Sequence, residues 1–188
     1  LAMRDQQLPL WLNTEMQSLI SDDAGKVIGA KVLKNGQLMT IQARDAVVLA
    51  CGGFEHNQEM REQYLPKPTS TAWSAGQTGN VGDGIRSGQA IGAATDMMDG
   101  AWWCTTISVP NEPAPRLSII EKSLPGSIQV NLDGQRIANE SQNYMAYLLE
   151  LFDKHSEDHP NVPSYQVFDS RYRNKYIVGP IMGSMQPD

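Results

Sequence analysis

The sequence predicts an α+β fold: an antiparallel β-meander, one strand buried on both faces, and then a segment that mixes helices with strands. Three observations predict it. Apolar-polar stretches near the start are separated by turn chemistry, with Asn35-Gly36 the clearest hairpin signal. The uncharged run Ala46-Val47-Val48-Leu49-Ala50 suits a buried strand, and it stops at Cys51-Gly52-Gly53. Downstream, apolar residues fall at helical spacing after Gly82-Asp83-Gly84 and again through Tyr147, Leu148, Leu149, Leu151 and Phe152.

The first strand is expected from Leu8 to Ile20, closed by the turn Asp22-Asp23-Ala24-Gly25-Lys26, whose Asp and Gly tolerate a tight reversal. Val27 to Leu33 and Leu38 to Ile41 make the second and third strands, and Arg44-Asp45 leads into the buried one. Paired glycines after a strand let the backbone turn sharply and let another molecule approach the main chain. On the glycines alone, an ordinary turn after a core strand is the expectation. Glu55 to Tyr64 reads as a short polar helix that Leu65-Pro66 terminates, because proline biases its predecessor away from helix. Thr69 to Gln77 is loop-like.

Gly79-Asn80-Val81-Gly82-Asp83-Gly84 is expected to enter a helix carrying Ile85, Ala90, Ile91, Ala93 and Ala94, and such a helix start suits anions. Asp83 by itself reads as the cap of that helix. The dense run Met97-Met98-Asp99-Gly100-Ala101-Trp102-Trp103 reads as core, although a surface for a flat apolar ligand uses the same residue types. Val109 to Pro115 is extended or looped. Glu121 to Asn131 reads as a turn followed by a strand, Asp133-Gly134 reverses the chain, and Arg136 to Ser141 returns.

Composition excludes several classes. A formal net charge of −6 and the lack of a basic run argue against a nucleic-acid partner. No apolar stretch reaches the length of a membrane span. The 2 cysteines, Cys51 and Cys104, are too few for a disulfide framework. His56, His155 and His159 are scattered, so no metal site is expected. A soluble, cytoplasmic, reduced protein is the expectation. The 188 residues contain no Gly-x-Gly-x-x-Gly between a strand and a helix, the pattern that seats a pyrophosphate. With an opening Leu1 and a closing Met-Gln-Pro-Asp, the chain reads as a piece of a longer polypeptide whose remainder is its first partner.

Several of these segments resemble, in order, the flavoprotein family that holds fumarate reductases, succinate dehydrogenase flavoprotein subunits and 3-ketosteroid dehydrogenases. Val47-Val48-Leu49-Ala50-Cys51-Gly52-Gly53-Phe54 is similar to that family's strand-turn, with Cys51 where threonine is common. The resemblance implies that this strand closes an FAD domain and that Ala50, Gly52, Gly53 and Asn57 lie against the cofactor. Leu12-Asn13-Thr14-Glu15-Met16 resembles the meander segment that gives main-chain contacts to the adenine, with Met16 at the contacting position. Asn80-Val81-Gly82-Asp83-Gly84 resembles the helix start beside the flavin ring and implies contacts from Asn80, Gly82 and Asp83; Val81 stands where threonine is usual.

The segment Pro125-Gly126-Ser127-Ile128-Gln129-Val130-Asn131 through Arg136 and Asn139-Glu140-Ser141 is the most specific match. In fumarate reductases an arginine soon follows Asn-Glu and acts on a dicarboxylate. Here Gln142-Asn143-Tyr144 follows instead, as in 3-ketosteroid dehydrogenases, where a tyrosine after this motif belongs to the active site. Pro163 to Arg173 and Tyr176 also resemble that branch.

The implied fold is the β-meander and closing strand of a two-dinucleotide-binding FAD domain in residues 1–66, followed by part of an α+β cap, the catalytic domain, in residues 67–188. The implied reaction dehydrogenates a small apolar ring ketone, steroid-like, at adjacent carbons, with FAD accepting hydride and Tyr144 as the catalytic residue. A phenol's reference pKa near 10 makes it a poor base, so a catalytic tyrosine needs help from its surroundings. Spacing alone equally allows Tyr144 to be a core residue. Two rivals stand beside this reading: a fumarate-reductase-like reductase of an activated C=C bond, and a non-catalytic structural or interaction module. The chain alone is expected to be inactive and to hold no FAD.

Overall fold

A computed structural model describes residues 5–185. The expectations drawn from Leu1 and from the closing Gln186-Pro187-Asp188 lie outside the described residues. The described residues form two units: one runs to Phe54 and takes in Asn80–Asp96, and the other comprises Glu55–Gly79 and the chain from Met97 on. The division thus falls after Phe54, and the second glycine loop belongs to the first unit.

In the first unit, β1 (Thr14–Ser21), β2 (Val27–Lys34) and β3 (Gln37–Gln42) form an antiparallel sheet in that order. Its turns are built by side chains the sequence offers for that purpose. Asp22 Oδ1 accepts from the amides of Ala24 (3.0 Å) and Lys26 (2.9 Å), and Gly25 takes φ +82°. Asn35 and Gly36 both have positive φ, 48° and 80°, as a type I′ turn requires. β1 begins six residues later than Leu8, because Thr14 pairs with Lys34, the last residue of β2. Among the described residues, those before Thr14 pair with no further strand. Ala30 and Val32 are the buried side chains of β2.

The run Ala46 to Ala50 corrects the sequence reading: it joins no ladder, and Val48 is 86 % exposed. Apolar composition makes a strand only where a neighbour offers hydrogen bonds. β3 pairs with β2 alone, and the described residues place no other edge beside 46–50. Helix α1 of the second unit (Gln58–Tyr64) follows, capped by Asn57, whose side chain accepts from Met60 N, and ended by extended Leu65 before Pro66.

The first unit resumes with α2 (Asp83–Ala90), which lies against β1. Its end is a Schellman motif: Gly92 at φ +89°, its amide on Gln89 O (2.9 Å), and Ala93 N on Gly88 O (3.0 Å). Ala93 and Ala94 therefore fall outside the helix that their spacing suggested.

The second unit continues with the two-residue strands β4 (Thr106–Ile107) and β5 (Arg116–Leu117), paired antiparallel, and with β6 (Ser127–Val130) paired antiparallel to β7 (Tyr165–Phe168). Helix α3 (Tyr144–Asp153) lies between β6 and β7 in the chain, and α4 (Ser170–Lys175) follows β7. Tyr147, Leu148 and Leu151 are buried on one face of α3, the i, i+4 spacing of a packed helix. Trp103 stacks on Phe152 of the same helix with ring centroids 5.2 Å apart. The expected Met-Trp core holds only at Trp103. Met97 and Trp102 are 78 % and 80 % exposed.

No helix among the described residues is long and apolar enough to cross a membrane.

Candidate functional site

The glycine turn and the second glycine loop meet inside the first unit. Gly52 adopts φ +74°, which favours glycine, and a Cβ there would run into the Asn80 carboxamide. Gly82 N donates to Gly53 O at 3.0 Å, tying the two loops together. Gly84 passes over Cys51, where an added Cβ would lie 3.4 Å from the thiol-bearing carbon. The outcome is a close approach of two backbone loops beside the start of α2, with Ala50 and Gly52 exposed and the Asn80 carboxamide against Gly52.

Asp83 does not cap α2. The N-cap is Gly82, left-handed at φ +85° with no side-chain cap bond, and Asp83 is the first helical residue, 2.9 Å from Arg86. Glycine supplies the backbone geometry there, and the carboxylate sits where the helix dipole favours negative charge. Met16 is half-buried in β1, opposite Val32 and next to a register shift before Ser18. In the second unit, Asn57 commits its Oδ1 to Met60 N at 3.0 Å.

The second unit builds the surroundings of Tyr144 from the Asn-Glu-Ser segment. Glu140 is buried and accepts from Gln129 N (2.9 Å) and from the guanidinium of Arg136, whose Nε lies 3.1 Å from each carboxylate oxygen. Burial pushes this carboxyl up, but the hydrogen bonds from Arg136 and Gln129 outweigh it and hold it below the ordinary value. The ammonium of Lys122, 1 % exposed, donates to Glu140 O (2.7 Å), Gln142 O (2.6 Å) and Ser123 Oγ (3.0 Å). Burial lowers its pKa, and nearby Glu140 opposes that shift.

Tyr147, fully buried, donates to Gln129 Oε1 at 3.1 Å; burial first, then Glu140 and Glu150, push its phenol far above the ordinary range. That places Tyr147 in the structural frame and leaves Tyr144 as the accessible phenol of the helix start. Asn143 caps α3 by accepting from Ala146 N (3.0 Å), so Tyr144 is the first helical residue. Its hydroxyl oxygen accepts from the indole N–H of Trp102 at 2.9 Å.

Lys122 is the residue of this surround that the sequence did not single out, while Arg136 stood in the matched segment without a role of its own. Only the resemblance of the Met-Trp run to an apolar ligand surface pointed toward Trp102. The histidines serve local structure: His56 Nε2 lies 3.0 Å from Gly76 O, and His155 Nδ1 accepts from Asn161 N at 3.0 Å. No metal-binding cluster occurs among the described residues.

Against known families, residues 2–181 match the FAD binding domain model. The chain belongs to that family. FAD is the cofactor of that family, as expected for the full-length protein, and the tight backbone approach at Gly52-Gly53 beside Asn80 fits a flat cofactor edge. The chain is 40 % identical over 179 residues to a 3-oxosteroid 1-dehydrogenase of Mycobacterium tuberculosis, covering 90 % of this chain and 31 % of the relative. It is 38 % identical over 175 residues to a 4-oxocyclohexanecarboxylate 2-dehydrogenase of Sinomonas cyclohexanicum, covering 89 % of this chain and 30 % of the relative. A crystal structure of 3-ketosteroid delta1-dehydrogenase from Sterolibacterium denitrificans, in complex with 1,4-androstadiene-3,17-dione, superposes with TM-score 0.94 at 45 % identity, covering 100 % of this chain and 34 % of that one. This family member thus spans about a third of the length of the relatives it matches.

Proposed function

We propose that this chain is part of a flavin-dependent dehydrogenase that introduces a carbon-carbon double bond next to the carbonyl of a steroid-like ring ketone. The observation that carries the reading is Tyr144, an accessible phenol at the head of α3, directly after a braced Asn139-Glu140-Ser141 segment. The similarity to enzymes named for 3-oxosteroids and for an oxocyclohexane acid supports the ketone class.

In this reading the carbon beside the carbonyl gives its proton to the Tyr144 oxygen in its phenolate form. The neighbouring carbon loses hydrogen with its electron pair, and the double bond closes between the two. Bound FAD supplies the two-electron acceptor for that hydride. In the first unit, Met16, Ala50, Gly52 and Gly53 would contact the cofactor through main chain. Asn80, Gly82 and Asp83 would meet it at the loop that opens α2. We assign residues 1–66 to the FAD domain and 67–188 to the cap of the longer protein, with Asn57 as a further cofactor contact.

The chain's own contribution is to hold the base. Arg136, Lys122 and the Asn143 cap fix the segment that ends at Tyr144, and a held base reacts from one geometry rather than many. The test is steady-state turnover of the full-length protein with a 3-ketosteroid and an artificial electron acceptor. Tyr144→Phe should retain flavin and lower turnover ~100-fold or more, as removal of a general base does. Wild-type turnover in that variant, or activity on fumarate with none on steroids, would overturn the reading.

A further inference from the structure

We propose that Trp102 is a positioning residue for Tyr144, its indole N–H holding the phenol oxygen in place and staying bonded to it once the proton has left. The proposal rests on the reading of Tyr144 as the base. It starts from an anomaly. Trp102 is 80 % exposed, so burial does not account for its position, yet its single polar atom is spent on Tyr144 Oη at 2.9 Å.

The neighbouring residue explains how an exposed ring is held so firmly. Trp103 is buried, stacks on Phe152 at 5.2 Å, and its amide contacts Met145 Sδ at 3.1 Å. Met145 and Phe152 both belong to α3, the helix that begins at Tyr144. The tryptophan pair is thus tied to one helix at Tyr144, Met145 and Phe152, which keeps the backbone of Trp102 beside the phenol.

The chemistry of the indole fixes the direction of the bond. Indole N–H is a donor only, so Tyr144 must accept from it and direct its own proton elsewhere. No described residue accepts that proton in the structure, so the remaining hydrogen-bonding capacity of the phenol faces outward. A donor that also serves the charged form favours that form over the neutral one. The same N–H therefore fixes the direction of the phenol oxygen and can stay bonded to it throughout the proton transfer.

The experiment is a mutant cycle in the full-length protein with a 3-ketosteroid, reading kcat and KM separately, with flavin content as the check on folding. Trp102→Phe keeps an aromatic ring and removes only the N–H; kcat should fall ~10-fold with KM nearly unchanged, the loss expected for one charge-assisted hydrogen bond. Trp102→His, which restores a ring N–H, should recover part of that loss. In the Tyr144→Phe background, Trp102→Phe should cost nothing further, because the indole acts through the hydroxyl that is already gone.

Wild-type kcat in Trp102→Phe, or an equal loss in both backgrounds, would overturn the role of Trp102 while leaving Tyr144 as the base. Wild-type turnover in Tyr144→Phe alone would instead remove the base, and with it the residue through which Trp102 acts.

Discussion

At the scale of single residues, Glu140 ties the Asn139-Glu140-Ser141 segment to β6 and to Arg136 through its carboxylate. It carries charge in a buried place because Arg136 and the Gln129 amide meet both its oxygens, and its backbone carbonyl receives the Lys122 ammonium. The folded carboxyl titrates below its ordinary value of 4.5, so the unfolded chain binds the proton first as pH falls. The stability it contributes is complete above that ordinary value and is lost as pH drops through the lowered one. Urea unfolding compared at about pH 6 and about pH 3 should show wild type losing more of its midpoint than Glu140→Gln, which begins lower and changes less. Equal losses would mean that the pair does not set the acid limit. In the sequence, Asn139-Glu140-Ser141 was legible as a motif, and Tyr144 with it, because the pattern is linear. Trp102 was not, since 42 residues separate it from the phenol and only tertiary packing brings them together.

At the scale of elements, the local rules that the sequence displays decide the turns and caps, and neighbours decide the rest. Asp22, Gly25, Asn35 and Gly36 form their turns where the residue chemistry places them. The meander was legible for that reason. The opposite case is 46–50, a strand by composition that stands unladdered, because strand formation is decided by what lies alongside. Asp83 failed as a cap for a similar reason: the left-handed Gly82 before it already set the entry to α2. Helix α3 carries the base in the proposed function, and its start rests on Asn143. Asn143→Ala should destabilise the second unit by about 1 kcal/mol, the usual worth of an N-cap, whereas Asn143→Asp should be nearly neutral. Urea titration followed by far-UV circular dichroism measures both. An unchanged midpoint in Asn143→Ala would show that water replaces the cap.

For the whole molecule, one unit holds the paired glycine loops and the other the Tyr144 phenol bonded by Trp102. Neither contains the glycine fingerprint that seats a pyrophosphate, so the isolated 188-residue chain should not retain FAD. Absorbance of purified chain after incubation with FAD and desalting tests this, and stoichiometric yellow protein would contradict it. The exposed run at Val48 has a further, colloidal consequence for anyone handling the isolated chain. Molecules carrying a net charge of −6 repel one another in dilute buffer, which keeps such apolar runs apart. Added salt shortens the reach of that repulsion to about 10 Å at 0.1 M while leaving the apolar attraction intact. The isolated chain should therefore scatter more light as ionic strength rises, and a charged substitution at Val48 should keep the solution clear.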